Sequence, residues 1–291
     1  MRLPTQTLLT LTSILSLTAL TTALSTQIND FTCRPTATNA TNPVIFLHGL
    51  GATYYEDLNF LQSYLQTLGY CTYAQTYGAY TGFPFVGGLK PIAESAGEIA
   101  SYIHEVKEKT GAERVDLVGH SEGAFQALYV PKFEVGVSEI VERVVAIAPP
   151  TRGTTFIGLY NLAYILGDVS RELIGTVLRI VGCGACDDLG IGGEAVGRLN
   201  SDENGSGANI VQPGNKVTVI ASKFDEMVTP TSTSFVHEEG VNNVWVQDFC
   251  PHDPVGHIGE AYDLNVWNLV RNALDDTPRR RFDCVIGSPG K

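Results

Sequence analysis

The sequence predicts an α/β fold in which a mainly parallel sheet is covered by helices on both faces. Three observations carry that expectation. Short apolar runs alternate with stretches of helical periodicity, the pattern of βαβ units. At 44% hydrophobic and 17% charged residues, the chain can bury a sizeable core. Residues 26–291 hold no internal repeat and no linker-like stretch, and so read as one domain.

Each element has its own signal. "PVIFLHG" (43–49) is apolar, ends at a glycine and reads as a buried strand. "TYYEDLNFLQSYLQTLGY" places Leu58, Leu61, Leu65 and Leu68 on one helical face. "CTYAQTY" (71–77) is the next strand. The following helix, "IAESAGEIASYIHEVKEKTG", aligns Ile92, Ala96, Ile99, Ile103 and Val106, with Gly111 just past its end. "RVDLVGH" (114–120) is a strand, and "EGAFQALYV" a helix that Pro131 is expected to end. "VERVVAIAPP" (141–150), "KVTVIASKF" (216–224) and "NNVWVQDF" (242–249) supply three more strands, and "GEAYDLNVWNLVRNALDD" a closing helix. Residues 151–210 break the alternation with apolar helical pieces and a glycine-rich run, long enough for a cap over the sheet.

The ends and the charge bound the compartment. Residues 1–25 combine Arg2, an apolar Thr-rich core and small residues near Ser25, the make-up of a secretory signal. The Thr and Ser content and the lack of a basic stop-transfer cluster argue against a membrane anchor. A balance of 19 basic against 31 acidic residues, net −12, disfavours nucleic acid and anionic membranes as partners. Six cysteines, an even number in a secreted chain, imply disulfides. Fifteen pairings are open to six cysteines, although Cys183 and Cys186 in "CGAC" read as a local bridge. Asn39 ("NAT") and Asn204 ("NGS") are N-glycosylation acceptors in loop-like sequence.

The chemistry centres on "VDLVGHSEGAFQAL" (115–128). With 30 Gly and 15 Ser in the chain, about one such sequence in six carries G-x-S-x-G by chance, so context must decide. Here an apolar strand precedes Gly119-His120-Ser121-Glu122-Gly123 and a helix follows, the strand–turn–helix that projects a serine hydroxyl above a sheet. A serine needs a base, and the base needs an orienting acid. On this fold the acid follows a later strand and the histidine follows the last one. Asp225 in "VTVIASKFDEMVTP" meets the first condition, with Glu226 as the alternative acid. "CPHDPVGHIGEAYDL" offers His252 and His257, and His257, just before the final helix, is the choice. His252, Asp253 and His257 match no zinc spacing, so neither a metal nor a cofactor is expected. The oxyanion donors are expected to be the backbone N–H groups of Glu122 and of Leu50 in "HGLGATY". His48 and His120 are expected to brace these turns, and His104 and His237 to lie at the surface.

These segments, with "NPVIFLHGLG", "GYCTY", "VVAIAPPTRGT", "ASKFDEMVTPTSTS" and "VWVQDFCPHDPVGH", resemble the triacylglycerol lipase group of α/β-hydrolases. The resemblance is to fungal lipase B-type and class 2 lipases, and runs from about Cys33 to Cys284. It implies the α/β-hydrolase fold, a triad of Ser121, Asp225 and His257, oxyanion donors at Leu50 and Glu122, and an ester or lipid substrate. It also implies disulfides Cys33–Cys71, Cys250–Cys284 and Cys183–Cys186. The chain departs from the family at Glu122, where lipase B-type enzymes carry Gln and many lipases Met, and at Gly123-Ala124 in place of two glycines.

A secreted carboxylic-ester hydrolase is therefore the leading expectation, with a lipid–water interface as the natural place of action. Short-chain esterase, acyl transfer and polyester cleavage use the same acyl-enzyme. A non-catalytic binding protein on this fold is disfavoured because such a module has no need of all three triad residues. Phe156, Ile157, Leu159, Tyr160, Leu162, Tyr164, Ile165 and Leu166 either line an acyl pocket or pack onto the core.

Overall fold

The computed structural model describes residues 28–37, 42–155, 182–201 and 209–286. Residues 1–25, Asn39, Asn204 and the apolar pieces of the expected cap (156–181) lie outside them. Six strands form one sheet: β1 (Val44–Leu47), β2 (Thr72–Ala74), β3 (Val115–His120), β4 (Val141–Ile147), β5 (Lys216–Ala221) and β6 (Asn242–Trp245). Their order is β2-β1-β3-β4-β5-β6, and every neighbouring pair is parallel. β1 and β3 are buried at every position, which is why their sequences read as mainly apolar runs, broken in β3 by Asp116 and His120, instead of alternating.

Helices close both faces. On one side α2 (Ile92–Thr110) and α3 (Glu122–Phe133) cover Ile45, Leu47, Leu117, Val144, Ala146 and Val219. On the other, α1 (Asn59–Thr67) and α8 (Leu264–Leu274) cover Val44, Phe46, Val118, Val145, Ile147 and Ile220. Of the region expected to form a cap, α4 (Gly184–Asp188) and α5 (Glu194–Leu199) join the core on the α2/α3 side through Ala185, Leu189, Ala195, Val196 and Leu199. The three disulfides are Cys33–Cys71, Cys183–Cys186 and Cys250–Cys284, with Cα–Cα separations of 5.8, 5.3 and 5.6 Å.

Four local expectations need correction. Pro131 does not end its helix: α3 continues to Phe133, and Glu134 N–H still donates to Val130 O at 2.9 Å. The proline removes one hydrogen bond near the helix end, and near-complete burial of α3 against β3, β4 and α2 offsets that loss. The closing helix is two helices, α7 (His257–Glu260) and α8. The break is at Asp263, whose carboxylate accepts from Asn265 N and Val266 N as an N-cap. The last strand stops at Trp245 and passes into a single turn, α6 (Val246–Phe249). Helix α1 starts only at Asn59, because Leu58 takes a left-handed conformation with φ 66°.

Asp116 is fully buried within β3, where it accepts from Asn42 Nδ2 at 3.0 Å and Arg143 N at 3.1 Å. Burial raises its carboxyl pKa to about 6, and the Asn42 bond opposes the shift. Between the unfolded value of 3.8 and that folded value, the native state holds a proton that the unfolded chain has lost. Stability from this group is therefore greatest in acid and falls as pH rises across the window, by on the order of 3 kcal/mol. In Asp116→Asn, the dependence of thermal midpoint on pH between 4 and 6 is expected to flatten. A slope equal to that of the native protein rules this out.

Candidate active site

The strand order creates the site. The chain leaves β1 for the edge strand β2, then returns past β1 to β3 on its other side. The turns after β1 and β3 therefore part at a topological switch point, which is where open α/β sheets bind ligands. The turn after β1 supplies Gly49–Ala52, and the turn after β3 supplies Ser121.

Ser121 sits at φ 56°, ψ −119°, a conformation rare for a residue with a side chain. Its N–H donates to Ile147 O at 2.9 Å, holding the turn against β4. The flanking glycines are required by space. A Cβ at Gly119 would overlap the Gly123 carbonyl, and one at Gly123 would overlap the Leu47 and His48 backbone. Glycine at 119 and at 123 thus lets α3 start so close to β1 and β3.

The two distant partners arrive from the loops after β5 and β6. His257 Nε2 lies 2.8 Å from Ser121 Oγ, and its Nδ1 lies 2.8 Å from Asp225 Oδ2. Asp225 Oδ1 accepts from Met227 N and Val228 N at 2.8 and 2.9 Å, so the whole carboxylate is held. Both residues are buried. Glu226, the alternative acid, instead accepts the His257 backbone N–H at 3.3 Å. His252 is exposed, and Asp253 is spent on Val255 N and Asn265 Nδ2. That trio is not gathered around a common point. His104 and His237 are exposed.

Among the described residues, the Leu50 and Glu122 N–H groups donate to no protein acceptor. The Glu122 N–H belongs to the first turn of α3, where orphan amides and the helix dipole favour an anion. Leu50 and Ser121 line a cavity of about 260 Å³ whose other walls include Pro150, Leu189, Met227, Val228, Ile258 and Tyr262. The walls are mostly apolar. Ser121 and His257 both line this apolar enclosure.

The side chain of Glu122 is fully buried, and burial pushes its carboxyl well above the usual range, against the opposing effect of Gln126 one turn on. Burial thus favours the neutral form of this acid beside the expected oxyanion donor. In Glu122→Gln, kcat/KM is expected to stay within about threefold of native or to rise, because the amide keeps the shape and, like the neutral acid, carries no charge. A hundredfold loss in ester turnover would show that the acid itself acts.

His48 braces its turn as expected: its Nδ1–H donates to Gly49 O at 2.9 Å, and its Nε2 accepts Tyr77 N–H at 3.2 Å. That arrangement fits a neutral ring, and burial lowers its pKa. Two buried acids escape sequence reasoning. Glu260 brings a carboxyl oxygen within 4.8 Å of the facing atoms of Asp225 and His257, and burial beside Asp225 pushes its pKa well up. Asp57 lies inside a stretch that reads as an amphipathic helix, yet it lines the cavity and accepts Gly49 N–H at 2.6 Å. Neither position carries a local signal, since the partners lie far off in sequence.

Known proteins share the family and the fold of this chain. The family described as lipase (class 2) matches residues 41–258. Triacylglycerol lipase of Pseudomonas fragi is 26% identical over 136 residues, 46% of this chain and 43% of that protein. The chain spans less than half the length of the curated relatives it matches. Among solved structures, Aspergillus fumigatus lipase B superposes with a TM-score of 0.54 at 18% identity, covering 80% of this chain and 52% of that one. A monoacylglycerol lipase of Paleococcus ferrophilus gives 0.54 at 15% identity, covering 84% and 96%. These likenesses establish the α/β-hydrolase fold.

Proposed function

Because the chain belongs to the class 2 lipase family, we propose that it is a secreted serine hydrolase of carboxylic esters, acting as a triacylglycerol lipase. The observation that carries the reading is the pair of 2.8 Å contacts joining Ser121 Oγ, His257 and Asp225, with Ser121 and His257 lining an apolar cavity.

Ser121 Oγ attacks the acyl carbon as His257 Nε2 takes its proton, while Asp225 fixes the tautomer and stabilises the imidazolium. The carbonyl oxygen becomes an oxyanion and accepts from the Leu50 and Glu122 N–H groups. His257 returns the proton to the leaving alcohol oxygen as the C–O bond breaks, leaving an acyl-Ser121 ester. Water then attacks that ester with His257 again as base, releasing the carboxylic acid and restoring the serine. Leu189, Met227, Val228 and Ile258 supply the apolar wall that favours an acyl chain over a polar group. The three disulfides and the expected signal at residues 1–25 support secretion, with residues 26–291 forming the mature hydrolase domain.

Covalent labelling by a serine-directed phosphonate tests the mechanism, and mass spectrometry is expected to place one adduct on Ser121. Folded protein that takes no label and hydrolyses neither short nor long acyl esters would sink the enzyme reading. A series of p-nitrophenyl esters from two to sixteen carbons, with and without an emulsified interface, tests the substrate class. Turnover is expected to extend to long chains and to emulsions. A sharp optimum at two to four carbons with no turnover at an interface makes the protein a short-chain esterase.

A further inference from the structure

The residue before the nucleophile holds an arrangement that the triad does not use. His120 is buried, and its Nε2 lies 3.0 Å from the backbone carbonyl oxygen of His257. A carbonyl can only accept, so this nitrogen carries a hydrogen. The other nitrogen, Nδ1, lies 3.2 and 3.1 Å from Oδ1 and Oδ2 of Asp57. Oδ2 of that carboxylate also accepts Gly49 N–H at 2.6 Å. With acceptors on both sides of the ring, His120 is an imidazolium paired with a carboxylate, in contrast to the neutral His48 beside it.

The pair joins three separate pieces of chain. Asp57 holds Gly49, the residue before the Leu50 donor. His120 precedes Ser121 at the end of β3. The carbonyl that His120 grips belongs to His257, at the start of α7. Gly49 itself is close to the serine, since a Cβ added there would lie 3.3 Å from Ser121 Cβ. The His120 and His257 rings are 5.0 Å apart between centroids. One buried couple thus touches the oxyanion turn, the nucleophile turn and the backbone of the base.

We propose that Asp57 and His120 are positioning residues, a hydrogen-bonded clamp that holds the His257 backbone in register with the Leu50 oxyanion turn. The proposal rests on the triad reading above. Misplacement of reacting groups by about 1 Å can cost a hundredfold in rate, so the clamp acts on turnover more than on binding.

The test compares Asp57→Ala with Asp57→Asn. Asparagine can keep both links: its oxygen accepts from Gly49 and its amide donates to His120 Nδ1, leaving Nε2–H on the His257 carbonyl. Alanine removes them. Each protein is titrated with a serine-directed phosphonate, so that kcat for p-nitrophenyl butyrate is counted per competent site and misfolded protein drops out. Asp57→Ala is expected to lower kcat per site by about 10- to 100-fold with KM within about threefold, while Asp57→Asn stays within about fivefold of native. Should Asp57→Ala fail to fold, the double variant Asp57→Asn with His120→Phe keeps the bulk of both side chains and deletes the donor to His257. The same 10- to 100-fold loss is expected. Native kcat per site in these variants, or equal losses in Asp57→Asn and Asp57→Ala, overturns the clamp while leaving the triad intact. Native protein that the phosphonate does not label overturns the triad reading and the clamp with it.

Discussion

Replacement of Ser121 by alanine is expected to lower kcat on carboxylic esters by about a million-fold, with the thermal midpoint within a few degrees of native. In hydrolases of this type the nucleophile and base act as one unit, so removing either costs nearly as much as removing all. Stability should hardly move, because alanine keeps the same backbone demand at φ 56° and loses only a hydroxyl bonded to His257. Asp225→Asn is expected to be milder, about ten-thousand-fold, since the amide preserves shape but favours the wrong tautomer of His257. Initial rates on p-nitrophenyl butyrate, with circular dichroism to establish folding, check both. A folded Ser121→Ala protein within tenfold of native activity contradicts the assignment of Ser121.

The second large effect is on folding. Gly123→Ala would place a Cβ inside the Leu47 carbonyl group and against His48 O. These are backbone atoms at the end of the central strand β1, so no side-chain rotation relieves the overlap. Either α3 moves away from the sheet or β1 shifts, and packing across the α2/α3 face suffers in both cases. The expected destabilisation is about 3 kcal/mol or more, at the upper end for overpacking. For a domain of this size that lowers the midpoint by roughly 10 °C. Ester turnover should fall as well, because the Glu122 N–H sits in the displaced turn. A midpoint within 2 °C of native would show that the elbow has slack this structure does not contain.

The strands and the three residues proposed as a triad were legible for a physical reason. Fully buried parallel strands are mostly apolar, so Val44–Leu47 and, despite Asp116 and His120, Val115–His120 announce themselves. The nucleophile turn is also written locally, since Gly119 and Gly123 are demanded by contacts that any such turn makes. Asp225 and His257 were found because the chain order of the fold says which loops to search. Helix ends were harder. Pro131 is a breaker by local rules, yet α3 is buried so completely that packing carries it on to Phe133. Asp263 divides the last helix by capping, in a stretch whose apolar spacing reads as continuous.

What the sequence determined by itself was the α/β layering, the glycine-flanked turn at Ser121 and the loops that carry Asp225 and His257, because each depends on burial or turn chemistry within a few neighbouring residues. The surroundings of that machinery were decided only by the tertiary structure. His120 meets Asp57 across 63 residues and the His257 carbonyl across 137. The upward shift of the Glu122 carboxyl follows from burial, with Gly88 on the loop before α2 packed against it. Hydrogen bonds and desolvation act over a few ångströms in space, and a linear chain does not record which distant residues folding will bring within that range.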